Sequence, residues 1–191
     1  MNWLAHLVLS EPNPAFRVGN VLADLLSITD LRQLPGEFQP GIVRHREIDS
    51  FTDKHPVFKR SVARFDPRFR RFGPVIMDIF YDHFLSVSWP HLQTTPLPAF
   101  VDQFHRDVEI CGSMIPPQTY ALLRRMRSAN WLTSYGEIDG VRLTLDRMSL
   151  RLKRPFNLAE ATDELVLHHD DFAQDFAEFF PQIQTRFGAT T

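Results

Sequence analysis

Apolar residues return at intervals of three and four along almost the whole chain, the spacing that gathers side chains on one face of an α-helix. The first such stretch covers residues 2–9, with Trp3, Leu4, Leu7 and Val8 on its buried side and His6 close to that side. Pro12 and Pro14 interrupt it. Asn13 is placed to cap a second helix, with Pro14 as its first residue, expected to run over 14–29. Within that helix Gly19, Asn20, Ala23 and Asp24 form a small polar strip. Glycine in a helix interior costs about 1 kcal/mol relative to alanine, so something is expected to pack closely there. Residues 31–40 read as a loop from their Pro and Gly content. A third helix begins near Gly41 and stops before Pro56, because the residue preceding a proline is pushed out of the α region. Further helices are predicted over 57–65, 73–88, 98–112, 117–132, 138–153 and, as one run, 158–180.

No sustained strand alternation, internal repeat, Gly-rich phosphate loop or GxSxG elbow interrupts this pattern, which makes the fold class all-α. The length of 191 residues accommodates one helical bundle, so a single domain over 1–191 is expected. The formal net charge of −2 points to neither a nucleic-acid binder nor a disordered acidic chain. The 17 Phe residues call for a well-filled interior or an aromatic groove. With Cys111 as the sole cysteine, no internal disulfide and no thiolate metal site can form. The N-terminal stretch lacks a basic segment, and no apolar run approaches the roughly 20 residues of a membrane span. A cytoplasmic protein is therefore expected, with no nucleic-acid or membrane partner and with its oligomeric state unspecified.

Chemistry concentrates in residues 41–89. His45, Asp49 and Asp53 follow one another at four-residue steps, and Asp78 and Asp82 do the same beside His83. Four-residue steps keep side chains on one helix face, so two facing columns of acids and imidazoles would surround a cation. Such a mixture suits Mn²⁺, Mg²⁺, Fe²⁺ or Zn²⁺. Asp78, Asp82 and His83 also sit among Ile76, Ile79, Phe80, Phe84 and Leu85, where unpaired carboxylates are costly without a cation or a hydrogen-bonding partner. From Lys59 to Arg71, six basic residues face only Asp66 in the sequence, which reads either as a solvated surface or as a docking face for an acidic partner. His168, His169, Asp170 and Asp171 are read as surface, because adjacent residues point about 100° apart around a helix.

From MNWLAHLVLS through GNVLADL, HREIDSFTD and DIFYDHFLSVSW to NWLTSYGEIDG, the chain resembles the acyl carrier protein phosphodiesterase family over most of its length. The resemblance implies an HD-domain-like helical fold, distantly related to HD-type metal phosphohydrolases. It implies dependence on a divalent metal, typically Mn²⁺ with Mg²⁺, Fe²⁺ or Co²⁺ as alternatives, and removal of 4′-phosphopantetheine from holo acyl carrier protein. His6, Asp24, His45, Asp49, Asp53, Asp78, Asp82 and His83 fall on its motifs. On this reading His45, Asp49, Asp78, Asp82 and Asp24 supply metal ligands. His6 and His83 act as ligands or as general acid and base, with Asp24 a further catalytic candidate. Arg46 and Asp53 are assigned to phosphate and substrate, and Arg64, Arg68 and Arg71 to docking of the acidic carrier protein. Two rivals remain: a phosphohydrolase of the same fold acting on a nucleotide or small phosphodiester, and a non-catalytic helical binding module.

Overall fold

A computed structural model of the chain describes residues 1–188, and every regular element among them is helical. The helices are α1 (Trp3–Val8), α2 (Pro14–Leu25), α3 (Ile28–Gln33), α4 (Gln39–Lys54), α5 (Pro56–Arg64), α6 (Gly73–Val87) and α7 (Trp89–Leu92). They continue as α8 (Leu97–Ile110), α9 (Pro117–Ser128), α10 (Trp131–Ser134), α11 (Ile138–Ser149), α12 (Ala161–Leu167) and α13 (His169–Phe187). None of them is long and apolar enough to cross a membrane.

Local chemistry sets most of the boundaries. The Asn13 side chain accepts from the Phe16 N–H and opens α2, as expected. That helix ends at Leu25, short of the expected 29, because Leu26 is extended and Ser27 caps a new helix by accepting from the Asp30 N–H. Residues 28–33, part of them read as loop, are therefore helical. Asn130 takes a left-handed conformation (φ 50°) and splits the predicted 117–132 helix into α9 and α10. The predicted 158–180 run is likewise broken at His168 and then continues past Pro181 to Phe187.

Two close approaches explain the glycines at the centre of the bundle. A Cβ on Gly19 would overlap the Phe38 carbonyl, and one on Gly41 would overlap the Phe16 carbonyl. Helices α2 and α4 thus cross almost backbone to backbone, bringing Asp24 on one beside His45 on the other.

The phenylalanines fill the interior. Phe65, Phe80 and Phe172 meet at centroid separations of 5.6–5.7 Å, and Tyr81 packs at 5.5 and 5.3 Å from Phe176 and Phe179. These contacts seat α6 between α5 and α13, with Tyr81 fully buried.

The basic run that follows α4 finds its acids far away in sequence. Arg60 and Arg64 reach the buried Asp175 on α13 at 2.6 and 3.1 Å, and Arg68 reaches Glu160 at 2.9 Å. Arg64 and Arg68, expected to dock a partner, pair with Asp175 on α13 and with Glu160 in the turn before α12. Arg71 stays exposed, its guanidinium 5.6 Å from the Phe72 ring. His168 and His169 are partly exposed beside Asp171 and Asp170.

Candidate active site

Helices α1, α2, α4, α6, α10 and α11 all contribute to one cavity of about 270 Å³, whose wall includes Asp24, Asp49 and Asp78. The imidazoles of His6 on α1 and His45 on α4 stack beside it with centroids 4.1 Å apart. Asp49 serves both rings: one oxygen lies 3.2 Å from His6 Nε2 and the other 3.0 Å from His45 Nε2. Asp24 approaches His45 Nε2 from the other side at 3.2 Å, and its second oxygen accepts from Trp3 Nε1 at 2.9 Å. Asp78 lies 2.9 Å from the amino nitrogen of Met1, which is also 3.4 Å from Asp49.

The acids and rings shift one another strongly. Burial alone would lower His45, but its bonds to Asp24 and Asp49 raise it to about 9. Asp49 is opposed by burial yet held far below the carboxylate range by His45 and His6. Burial dominates at His6, whose pKa is lowered, and at Asp78, whose pKa is raised. Asp24 is lowered, because the His45 contacts outweigh its burial.

One donor atom each from His6, His45 and Asp49 lie within 4.8 Å of one another. Two imidazole nitrogens and a carboxylate at that separation match the ligand chemistry of a divalent first-row ion, and Asp24 and Asp78 stand close enough to add oxygens. The donor set therefore has the chemistry of a divalent-cation site, without singling out one ion.

Other members of the predicted set lie elsewhere. Asp82 does not line the cavity: it is fully buried, and its oxygens accept from the backbone N–H groups of Leu4 and Ala5 at 2.8 and 3.0 Å. It thus caps the start of α1, the helix that carries His6, while burial pushes its pKa up to about 7. His83, one residue on, points elsewhere around α6 and binds the Tyr135 carbonyl at 2.8 Å. Asp53 is exposed beside Lys59 and Arg70, because four-residue steps drift by about 40° each and two of them leave the face that His45 defines. Arg46 is exposed in a separate groove with Arg186.

Removing the Asp82 cap tests its structural role. Asp82→Ala strands two buried N–H groups and is expected to cost about 1–3 kcal/mol, read by denaturant unfolding, with Asp82→Asn losing less because one acceptor survives. An alanine variant as stable as the parent would contradict the capping role.

A family profile described as acyl carrier protein phosphodiesterase matches residues 1–183. The chain belongs to that family. It is 34% identical over 187 residues to the acyl carrier protein phosphodiesterase of Enterobacter sp. (strain 638), covering 97% of each chain. The protein of that name from Klebsiella pneumoniae subsp. pneumoniae is 33% identical over 184 residues, 96% of this chain and 95% of the other. The one from Pectobacterium atrosepticum is 30% identical with the same coverage. No solved structure matches the chain.

Within this family member further lining of the cavity comes from residues outside the acid and imidazole columns. Asn2, Trp3, Trp131, Tyr135, Thr144, Arg147 and Arg151 add polar and aromatic groups to it. Thr144, Arg147 and Arg151 recur at steps of three and four along and just beyond α11, the helical spacing that had drawn attention to the acid columns. The Arg147 guanidinium lies 4.7 Å from the Trp131 ring. A second hollow, of about 300 Å³, shares Trp131, Arg147 and Arg151 with the first and adds Arg125.

Proposed function

We propose that this chain hydrolyses the phosphodiester that joins 4′-phosphopantetheine to the serine of holo acyl carrier protein, releasing the apo carrier protein, and that it requires a divalent cation, with Mn²⁺ as the first candidate and Mg²⁺, Fe²⁺ or Co²⁺ as alternatives. The observation that carries this reading is the convergence of Asp24, Asp49 and Asp78 on one cavity, with His6 and His45 in contact with these acids, in a chain of this family.

His6, His45 and Asp49 would hold the cation, with Asp24 and Asp78 alongside. When bound, it supplies Lewis acidity and neutralises charge on the phosphate oxygens. The protein's own groups handle position and proton transfer. Asp49 fixes the orientation of both imidazoles through its two oxygens. Trp3 pins Asp24, which is 40% exposed and has a lowered pKa, so it is ionised at neutral pH and able to take the proton of an attacking water. Attack at phosphorus then breaks the bond to the serine oxygen in an in-line displacement. His83 acts at a remove, holding through the Tyr135 carbonyl the segment that carries Trp131.

Carrier proteins of this type are acidic, and Arg125 and Arg151 line a hollow that shares Trp131, Arg147 and Arg151 with the catalytic cavity. That rim suits such a partner better than Arg64 and Arg68, whose charges α13 and Glu160 already meet, and its attraction would weaken with salt.

Incubation with holo carrier protein, with and without Mn²⁺, followed by intact mass measurement is the direct test. The expected result is a Mn²⁺-dependent loss of the whole phosphopantetheine mass. Turnover confined to small phosphodiesters would instead favour a nucleotide-type phosphohydrolase. No effect of Mn²⁺ on either melting temperature or turnover would favour a binding module.

A further inference from the structure

The cavity is lined by two kinds of group. One is the carboxylates of Asp24, Asp49 and Asp78. The other is the N–H donors of Asn2, Trp131 and Arg147: Trp131 Nε1 and Arg147 Nη1 are buried without an acceptor among the described residues, and Asn2 hydrogen-bonds to the Tyr135 hydroxyl. Buried donors without partners cost about 1–3 kcal/mol each, and two on residues of a single cavity mark a place suited to an acceptor.

Arg147 combines partial burial with the lack of a carboxylate partner among the described residues; other arginines without one, such as Arg46, Arg71 and Arg125, are exposed. Arg17, Arg60, Arg64, Arg68 and Arg142 each meet a carboxylate at 3.1 Å or less. Arg147 makes no such ion pair among the described residues, although it is only half-exposed. Its guanidinium carbon lies over the Trp131 ring, 4.7 Å from the centroid, and Trp131 is itself presented by the left-handed turn at Asn130. A guanidinium placed on an aromatic ring, without an ion pair among the described residues and beside further donors, is suited to an oxyanion that accepts two bonds in a fork.

We propose that Asn2, Trp131 and Arg147 form a phosphoryl-anion subsite, with Arg147 as its principal donor. The proposal rests on the phosphodiesterase reading and specifies where the substrate's phosphate lies: between these donors and the carboxylates. A tetrahedral phosphodiester has two non-bridging oxygens, so one faces Arg147 while the other faces the cation-holding side. Without the donors the three carboxylates would repel it. Arg46, to which the motif resemblance gave the phosphate, lines a different groove.

Calorimetric titration of the full-length protein in Mg²⁺ with phosphopantetheine and, separately, with pantetheine tests the subsite. The two ligands share the arm and differ in the phosphoryl group. Arg147→Gln is expected to weaken phosphopantetheine about 10- to 100-fold, the effect of losing a charged hydrogen bond, and to leave pantetheine unchanged. Arg147→Lys, which keeps the charge and loses the fork, is expected to fall between the two. Equal weakening of both ligands by Arg147→Gln, or no weakening of either, overturns the subsite. If the parent protein fails to cleave holo carrier protein but discriminates the two ligands through Arg147, the reaction reading falls and the subsite stands.

Discussion

Asp49→Ala is expected to reduce cleavage of holo carrier protein at least about 100-fold, whereas Asp53→Ala, one helical turn further on, should stay within about threefold of the parent. In the sequence the two acids are equivalent, each four residues beyond its neighbour in the column that starts at His45. In the fold they part. Asp49 contacts His6 Nε2 at 3.2 Å and His45 Nε2 at 3.0 Å, so its loss removes an oxygen ligand and frees both rings from their orienting partner. Loss of an orienting group alone typically costs 10- to 100-fold in metal affinity or activity, and loss of a preorganised electrostatic contact costs roughly 100- to 1,000-fold in turnover. Asp53 is exposed in a different hollow, beside Lys59 and Arg70. Turnover by intact mass, together with the melting-temperature rise on adding Mn²⁺, reads both effects. Equal loss in the two variants would dissolve the proposed centre, because no shared geometry could then explain it.

The second large effect is on stability. Asp175 is 1% exposed and accepts from Arg60 Nε at 2.8 Å, from Ser61 Oγ at 2.8 Å and from Arg64 Nε at 3.1 Å. Asp175→Ala leaves two guanidinium groups facing one another across the vacated position. Breaking a buried pair costs about 3–5 kcal/mol; because both arginines are partly exposed and can rehydrate, about 2–4 kcal/mol is expected here. With about 2–4 °C per kcal/mol for a chain of this size, melting should fall by roughly 5–15 °C. Asp175→Asn keeps an acceptor without the charge and should lie between. A melting temperature within about 2 °C of the parent for the alanine variant would refute the clamp.

The same carboxylate gives the acid limb of the stability profile a defined sign. Burial opposes ionisation of Asp175, but its bonds to Arg64, Arg60 and Ser61 outweigh this and lower its pKa in the folded state. Its contribution is thus complete above the unfolded value of about 3.9 and is lost as pH falls through the lower folded value. The parent should lose stability across that window more steeply than Asp175→Asn, which has no proton to bind there.

Read in order, the residues themselves disclosed the class of the fold, most helix starts and the types of group at the centre. Apolar spacing is a property of neighbours three and four apart, and caps such as Asn13 and Ser27 act within a single turn, so both are written locally. The motif string did the same for family membership, since order along the chain is all that it requires.

Which acid does what was decided only by packing. Asp49 and Asp53 share a column on paper, but the drift of about 40° per four-residue step turns one toward α1 and the other toward solvent. Asp82 carries the same side chain as Asp78 and caps a helix 78 positions away. The acids that match Arg60 and Arg64 sit more than 100 positions downstream, out of reach of any charge count taken over a short window. Arg147 needed Trp131, Asn2 and the cavity's carboxylates before its lack of a partner had meaning. Sequence spacing determines which way a residue faces on its own helix, whereas the partner that it meets depends on how helices distant in the chain cross. That crossing is set by close approaches such as Gly19 against Phe38 and Gly41 against Phe16.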